Sequence, residues 1–364
     1  MKILFVTRKT LNTSPGGDTV QIFSTARYLT KLGIKVDIKS SSEIINYTEY
    51  DIMHFFNIIR PDDILPHILK STIPFVVSTI FVDYSEYEKN NRRGIIGIAS
   101  RLFSSDQMEY IKALGRYLIN GDKINSKFYL LNGHRASVKK IASKAKMLLP
   151  NSRSEYYRFV EAYNIDAPYM PIVNAIDLSV FNSDAEPNPM FKNEILCVGR
   201  IEGRKNQLNL IKALIDTDFK LTIVGKPSPN HMSYFNECKL LVSKHDNMRI
   251  IEHASHDQLA SIYLAAKVHV LPSWFETTGL SSLEAAVMDC NIVVTKKGDA
   301  EEYFRDMAYY CEPDDVGSIR NAVTKAFDNP IDTRLKIHVQ NNFTWEHTAA
   351  QTLSAYEKIL NNKK

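Results

Sequence analysis

The sequence predicts an α/β chain built as two doubly wound parallel-sheet domains. Three observations lead there. Apolar runs of strand length alternate with amphipathic stretches of helix length. The alternation breaks once, in a proline-bearing, non-periodic stretch from about Ala167 to Phe191 that holds Pro168, Pro171, Pro187 and Pro189, and then restarts. The 364 residues, 44% hydrophobic and 24% charged, suffice for two cores. The expected domains are 1–170 and 171–343, with a C-terminal helix over 344–364 packing back on the first.

In the first half, Lys2–Thr7 reads as a buried strand. Gly16-Gly17 follows, then a helix from about Asp18 to Leu32, with Val20, Phe23, Ala26 and Leu29 on one face and Gly33 as its stop. Ile34–Lys39, Asp51–Phe55, Pro74–Thr79 and Met147–Pro150 read as further strands, and 86–146 as polar and helical. In the second half, Glu194–Val198, Lys220–Val224, Met248–Ile251, Val268–Leu271 and Asn291–Thr295 read as strands with helices between them, one around Asn206–Ile215. Thr344 caps a last helix running to about Leu360.

Composition narrows the function classes. Four cysteines (Cys197, Cys238, Cys290 and Cys311) lack metal-site spacing and read as buried, reduced thiols of a cytoplasmic protein. Lys2–Val6 is too short for a leader, and no stretch approaches the ~18 apolar residues of a spanning helix. The net charge of +4 hides an asymmetry: residues 1–173 hold 24 Lys/Arg against 16 Asp/Glu. Residues 89–147 hold 13 of those bases against Asp106, Glu109 and Asp122. This implies an anionic partner, and a membrane surface or lipid pyrophosphate fits better than nucleic acid, for which no motif is present. Arg92 to Phe103 mixes basic and apolar residues as a peripheral, interfacial segment does, at the inner face of the cytoplasmic membrane. A solvated lysine face is the competing reading.

Trp274-Phe275-Glu276-Thr277-Thr278-Gly279-Leu280-Ser281-Ser282-Leu283-Glu284 carries the chemistry. A strand stopped by Pro272 gives way to a helix from Leu280, with Gly279 at the turn. The free N–H groups of such a helix start bind phosphate. Glu276 before the helix and Glu284 one turn inside it would flank that phosphate. Anionic themselves, they must contact something else, and sugar hydroxyls are the natural donors. A nucleotide sugar has hydroxyls on both sides of its diphosphate. The competing reading makes both acids ordinary partners of the helix dipole. The second half opens with a strand ending at Gly199, then Arg200 and Lys205. Ligands sit beyond the carboxyl ends of parallel strands, so Arg200 and Lys205 are placed to hold the diphosphate from the other side; the competing reading is that one of these bases, Arg204 before the others, only salt-bridges a surface acid.

These residues resemble a retaining glycosyltransferase of family 4, in glycosyl transferases group 1. Glu276-x7-Glu284 matches the E-x7-E motif of that family, and Gly199-Arg200 with Lys205 its G-R-x4-K segment. Val173-Asn174-Ala175-Ile176-Asp177 with Phe181 resembles the interdomain connection, with Ala175 in place of glycine. Asn151-Ser152-Arg153-Ser154-Glu155 resembles the helix start before it, and Gly16-Gly17 the glycine pair after the first strand. The resemblance implies the GT-B architecture, two Rossmann-like domains facing a cleft, the first for acceptor and the second for donor. It implies a hexosyltransferase moving sugar from a UDP- or GDP-sugar to a glycan or lipid-linked acceptor, in polysaccharide or lipopolysaccharide assembly, with no metal and no cofactor.

The resemblance also implies roles. Arg200, Lys205 and the N–H groups near Thr278, Gly279, Leu280 and Ser281 would stabilise the departing diphosphate. Glu284 would accept from the ribose and Glu276 would hold the donor sugar. Gly16 and Gly17 would let the first domain close on phosphate or acceptor. The base would pack near Gly225-Lys226 and Glu252-His253. Two departures stand out. The family histidine after the fourth strand is absent, so Asp83 or Tyr84 lines the sugar or acceptor, or Asp83 only caps the next helix. Lys297-Gly298-Asp299 replaces a glycine pair. A nucleotide-sugar epimerase or hydrolase, a non-catalytic nucleotide-sugar-binding protein and a nicotinamide oxidoreductase are the alternatives; the last lacks G-x-G-x-x-G in either first βα turn.

Overall fold

A computed structural model of the chain describes all residues except 12, 14, 15, 92–96, 98, 100, 120–122, 183 and 362–364. The chain divides into two compact units. The first comprises 1–81, 88–174 and 345–364, and the second 82–87 and 175–344. Residues 82–87, which fall within the expected first domain, thus group with the second unit.

The first unit holds a five-stranded sheet of order β2-β1-β3-β4-β5: β1 Lys2–Thr7, β2 Lys35–Ser40, β3 Ile52–Phe56, β4 Phe75–Ser78 and β5 Met147–Leu148. Every pairing in it is parallel. Its helices are α1 Gly17–Lys31, α2 Pro61–Lys70, α3 Ser85–Asn91 (shared with the second unit), α4 Ser105–Ile119, α5 Lys127–Lys144 and α6 Arg153–Tyr163. Leu4, Met53, Phe55, Val77 and Leu148 from the strands pack with Ile64, Ile68, Val138 and Ile141 from the helices. The inward face of α1 holds two of the four residues expected together, Ala26 and Leu29. Ile22, Thr25, Ala26 and Leu29 are buried, whereas Val20 and Phe23 are 44% and 45% exposed. The helix is rotated because Gln21 turns in as well, its Nε2 donating to Asn151 Oδ1 at 2.8 Å. The C-terminal helix Trp345–Asn361 packs in this unit, where Tyr356 meets His54 Nδ1 at 2.6 Å and Thr348 donates to the Val173 carbonyl at 2.7 Å.

Glu155 organises the exit of β4. Ser152 caps α6 by accepting from the Glu155 N–H at 2.9 Å. The fully buried Glu155 carboxylate in turn accepts from the Asn151 N–H (2.9 Å), the Phe81 N–H (2.8 Å) and the Thr79 hydroxyl. The motif read as a helix start is therefore also the clamp on the loop leaving β4, where Ile80 takes a positive φ of 45°. Glu155→Ala orphans two backbone donors and a hydroxyl, and is expected to cost about 3 kcal/mol in denaturant unfolding. A loss below about 1 kcal/mol would show the clamp to be dispensable.

The second unit holds a six-stranded, all-parallel sheet of order β11-β10-β9-β6-β7-β8. The strands are β6 Ile195–Val198, β7 Leu221–Val224, β8 Met248–Ile251, β9 Val268–Leu271, β10 Asn291–Thr295 and β11 Tyr309–Cys311. The sequence reading omitted β11, whose three residues are too short to stand out as an apolar run. Ile195, Cys197, Ile223, Val268, Val270 and Val293 pack with Leu210, Leu214, Phe235, Ile319 and Val323. All four cysteines are buried and free. Strand order reverses between β6 and β9, so a ligand crevice is expected where these two strands end.

Candidate functional site

The β6 and β9 exits carry the residues singled out above. After Val198 the chain runs through Gly199 and Arg200 to a 3₁₀ turn over Gly203–Lys205. Asn206, with φ 64°, locks that turn in place: its Nδ2 donates to the carbonyls of Pro272 (3.0 Å) and Pro313 (2.6 Å), while the Trp274 N–H donates to the Arg204 carbonyl at 2.9 Å. The loops after β6 and β9 are thereby bonded to each other. Lys205 is delivered to Glu276, Nζ to Oε2 2.6 Å, and Ser273 Oγ donates to the same oxygen at 3.0 Å. Burial works against the Lys205 ammonium, but the Glu276 carboxylate outweighs it and holds the pKa above the ordinary lysine value. Arg200 is exposed, and its guanidinium stands 3.8 Å from the buried Glu202 carboxylate, beyond hydrogen-bond distance.

Glu276 is fixed by its own backbone. Its N–H donates to the Lys297 carbonyl (3.0 Å) and its carbonyl accepts from the Asp299 N–H (2.9 Å). Gly298 lies between them at φ 113°, against the Glu276 backbone, so a Cβ there would collide with the Glu276 carbonyl. The single glycine of Lys297-Gly298-Asp299 is thus a contact surface for Glu276. Gly279, at φ 68°, is the N-cap of α10, Leu280–Val287 (α7, α8 and α9 being Gln207–Leu214, Met232–Val242 and His256–Ala265). Its carbonyl accepts from the Ser282 and Leu283 N–H groups. The N–H groups of Leu280 and Ser281 open the helix ahead of those bonds. Thr278 is buried beside them.

Glu284 projects one turn into α10. It is half-buried, and desolvation pushes its carboxyl up to about 7, with the Tyr263 hydroxyl donating at 3.3 Å in opposition. His269, on β9 beneath, is fully buried and meets Ser282 Oγ at 3.4 Å; burial pushes it down to about 3, so it is neutral. Gly225 packs on the Gly199 backbone, placing the β6 and β7 exits side by side. Lys226 and His253 are both exposed beyond β7 and β8.

Tyr84 joins this group from the 82–87 segment. Arg204 sits over its ring at 4.3 Å, Phe275 meets it edge-on at 6.2 Å, and Lys205 and Glu276 both act on its phenol, whose pKa burial raises. Arg204 is therefore a ring-stacked part of the site. Tyr87 packs on Trp274 at 6.1 Å, and Lys297 Nζ pairs with Glu86 Oε1 at 2.5 Å. Asp83 is exposed and accepts from the Ser85 N–H at 2.9 Å, as a cap of α3 does. Gly16 and Gly17 lie in the first unit, at the N-terminus of α1. Sequence reasoning gave no role to Ser273, Phe275, Tyr87 or Lys297: Ser273, Phe275 and Lys297 adjoin Glu276 and Gly298 along the chain, whereas Tyr87 lies in the distant 82–87 segment.

Residues 179–342 match the family model described as glycosyl transferases group 1. A D-inositol 3-phosphate glycosyltransferase of Arthrobacter sp. (strain FB24) is 26% identical over 246 residues, 61% of this chain and 58% of the relative. The matched part thus spans under two thirds of that relative's length. Sucrose-phosphate synthase from Thermosynechococcus elongatus superposes over 100% of both chains with a TM-score of 0.77 at 14% identity. Anabaena HepE, solved with UDP and glucose, covers 98% of this chain and 100% of its own with a TM-score of 0.69, also at 14% identity. The fold is GT-B.

Proposed function

We propose that this chain, whose residues 179–342 match the family model of glycosyl transferases group 1, is a retaining hexosyltransferase that takes its sugar from a nucleotide sugar. The observation that carries the reading is the Lys205–Glu276 pair at the reversal of strand order, with the open end of α10 adjoining. In this scheme the Lys205 ammonium, which has three donors, keeps one on Glu276 and gives another to the departing diphosphate. Arg200 and the Leu280 and Ser281 N–H groups share that charge. No metal is required of the scheme, because these groups supply the positive charge themselves. Glu276 accepts from a hydroxyl of the donor hexose, Glu284 from the ribose, and the base lies near Gly225, Lys226 and His253. Tyr84, beside Lys205 and Glu276, bounds the sugar pocket where the family histidine is missing.

The anomeric C–O bond to phosphate breaks first, and the acceptor oxygen attacks from the same face. The leaving phosphate oxygen takes the acceptor proton, so positioning and electrostatics replace a dedicated base. A glycan or lipid-linked acceptor in cell-surface polysaccharide assembly suits the basic composition of the first unit; Arg92, Arg93 and Asp122 of its basic stretch lie outside the described residues. A thermal-shift panel of UDP, GDP, ADP and CMP with their sugar conjugates tests the donor site. A nucleotide present at a hundred times its Kd stabilises the folded state by about 2.7 kcal/mol, a rise of several degrees in Tm. One base is expected to give that rise without metal; no shift with any of them overturns the reading.

A further inference from the structure

Lys297 is held at both ends. Its carbonyl accepts from the Glu276 N–H at 3.0 Å, while its ammonium pairs with Glu86 Oε1 at 2.5 Å and stands 6.0 Å from the centre of the Trp274 ring. Beside it the Asp299 N–H donates to the Glu276 carbonyl at 2.9 Å, so Glu276 and Gly298 form a single parallel bridge between the loops after β9 and β10. The anchor for the Lys297 side chain is itself built in. Glu86 belongs to the 82–87 segment of the second unit. Tyr87 pins that segment, its ring 6.1 Å from Trp274 and its hydroxyl where a Cβ on Gly203 would lie. Tyr84 pins it again, under Arg204 and against Phe275. The stretch that lacks the family histidine and the one that lacks the glycine pair thus meet in one ion pair.

We propose that Glu86 and Lys297 are positioning residues for Glu276, and that through it they govern how the donor hexose, rather than the nucleotide, is held. The inference rests on the transferase reading for the role of Glu276; the mechanical part stands without it. A carboxylate that must meet a sugar hydroxyl at hydrogen-bond distance needs a fixed backbone, because a shift of about 1 Å breaks the contact. Two hydrogen bonds fix that backbone, and both come from Lys297-Gly298-Asp299. Lys205 and Ser273 hold only the far end of the side chain. With no ammonium on Glu86, the Lys297 end of a one-residue bridge frays into solvent and the Glu276 N–H loses its acceptor. The groups assigned to the diphosphate, Arg200, Lys205 and the start of α10, make no bond to Lys297 or Glu86, so nucleotide binding is left in place.

The experiment is a cycle of Glu86→Gln, Lys297→Met and the double variant, read in the free protein and in binding. The pair is part-exposed, so modest effects are expected. Amide hydrogen exchange at Glu276 and Asp299 should quicken about fivefold in each single variant and no further in the double, with the amides of β9 unchanged. Affinity for UDP-glucose or GDP-mannose, whichever the wild type binds, should fall about fivefold, while that for UDP or GDP alone stays within about twofold. A pair that served stability alone would leave the ratio of those affinities unmoved. Unchanged exchange at Glu276 overturns the proposal, as do effects that add in the double variant or an equal loss of nucleotide and conjugate. Quickened exchange with unaltered conjugate affinity upholds the positioning of Glu276 and removes Glu276 from the sugar, so the failure of the transferase reading is told apart from the failure of the pair. A wild type that binds none of these probes likewise removes the donor reading and leaves the exchange result to decide the pair.

Discussion

Lys205→Ala is expected to lower sugar transfer by about 10²–10³-fold while the protein stays folded, because it removes the part-buried ammonium that, in the proposed scheme, faces the charge developing on the leaving diphosphate. Glu276→Ala is expected to abolish transfer similarly, by releasing both the donor sugar and the Lys205 ammonium. Stability complicates the single variants. Deleting one member of a buried pair leaves the other uncompensated, at a cost of about 3–5 kcal/mol when no proton or water relieves it. Glu276 keeps the Ser273 donor, so the loss in Lys205→Ala should fall toward the lower end. The double variant Lys205→Ala/Glu276→Ala separates the two effects. It is expected to recover stability relative to either single change and to recover no turnover. Wild-type turnover in either single variant would remove these residues from the mechanism.

The pair also shows what a sequence reveals and what it hides. Spacing placed Glu276 in the loop after β9 and Glu284 one turn into α10, because a glycine between an apolar run and a helix-period stretch leaves few other arrangements. Likewise Gly199 and the bases after it read correctly as a strand exit. The partner of Glu276 was hidden, since a bond across 71 positions leaves no periodic trace. Arg204 offered itself only as the partner of a surface acid; its place over Tyr84 depends on where the segment 82–87 lies, and nothing in that segment's composition says so. The α1 face was misread for a related reason: hydrophobicity favours Val20 and Phe23, but a long-range amide bond from Gln21 sets the rotation. Glu155 was legible as a cap of α6 and illegible as a clamp on the β4 exit, because capping is local and clamping is not. Local chemistry survives in the sequence; side-chain partners supplied by distant segments do not.

Glu284 gives the second large effect, in pH. Its carboxyl is pushed up to about 7 by burial from an ordinary value of 4.5, so between those values the folded chain binds a proton that the unfolded chain has released. The contribution of Glu284 to the stability of the free protein, read as wild type minus Glu284→Gln, is therefore expected to fall as pH rises through this window, by up to about 3 kcal/mol, and to level off above it; the buried His54, His67 and His269, whose pKa values lie below the ordinary 6.5, contribute with the opposite sign and cancel in that difference. Nucleotide-sugar affinity should move the other way. Only the ionised carboxylate accepts from two ribose hydroxyls without losing an oxygen to its own proton, so binding should weaken about tenfold per unit below pH 7, approaching a hundredfold at pH 5. A nucleotide sugar is the right probe, because its diphosphate is a diester with no proton to lose in this range. The groups around Glu284 do not blur the affinity profile, which is read in the folded state: the Tyr263 phenol and Cys290 thiol are held neutral well above the window, and His269 is neutral throughout. Glu284→Gln is expected to flatten the affinity profile and to remove this contribution from the stability profile. A nucleotide-sugar affinity that is constant between pH 6 and 8 in the wild type would mean that Glu284 does not hold the ribose, and would leave α10 contributing to the donor through its N-terminal N–H groups alone.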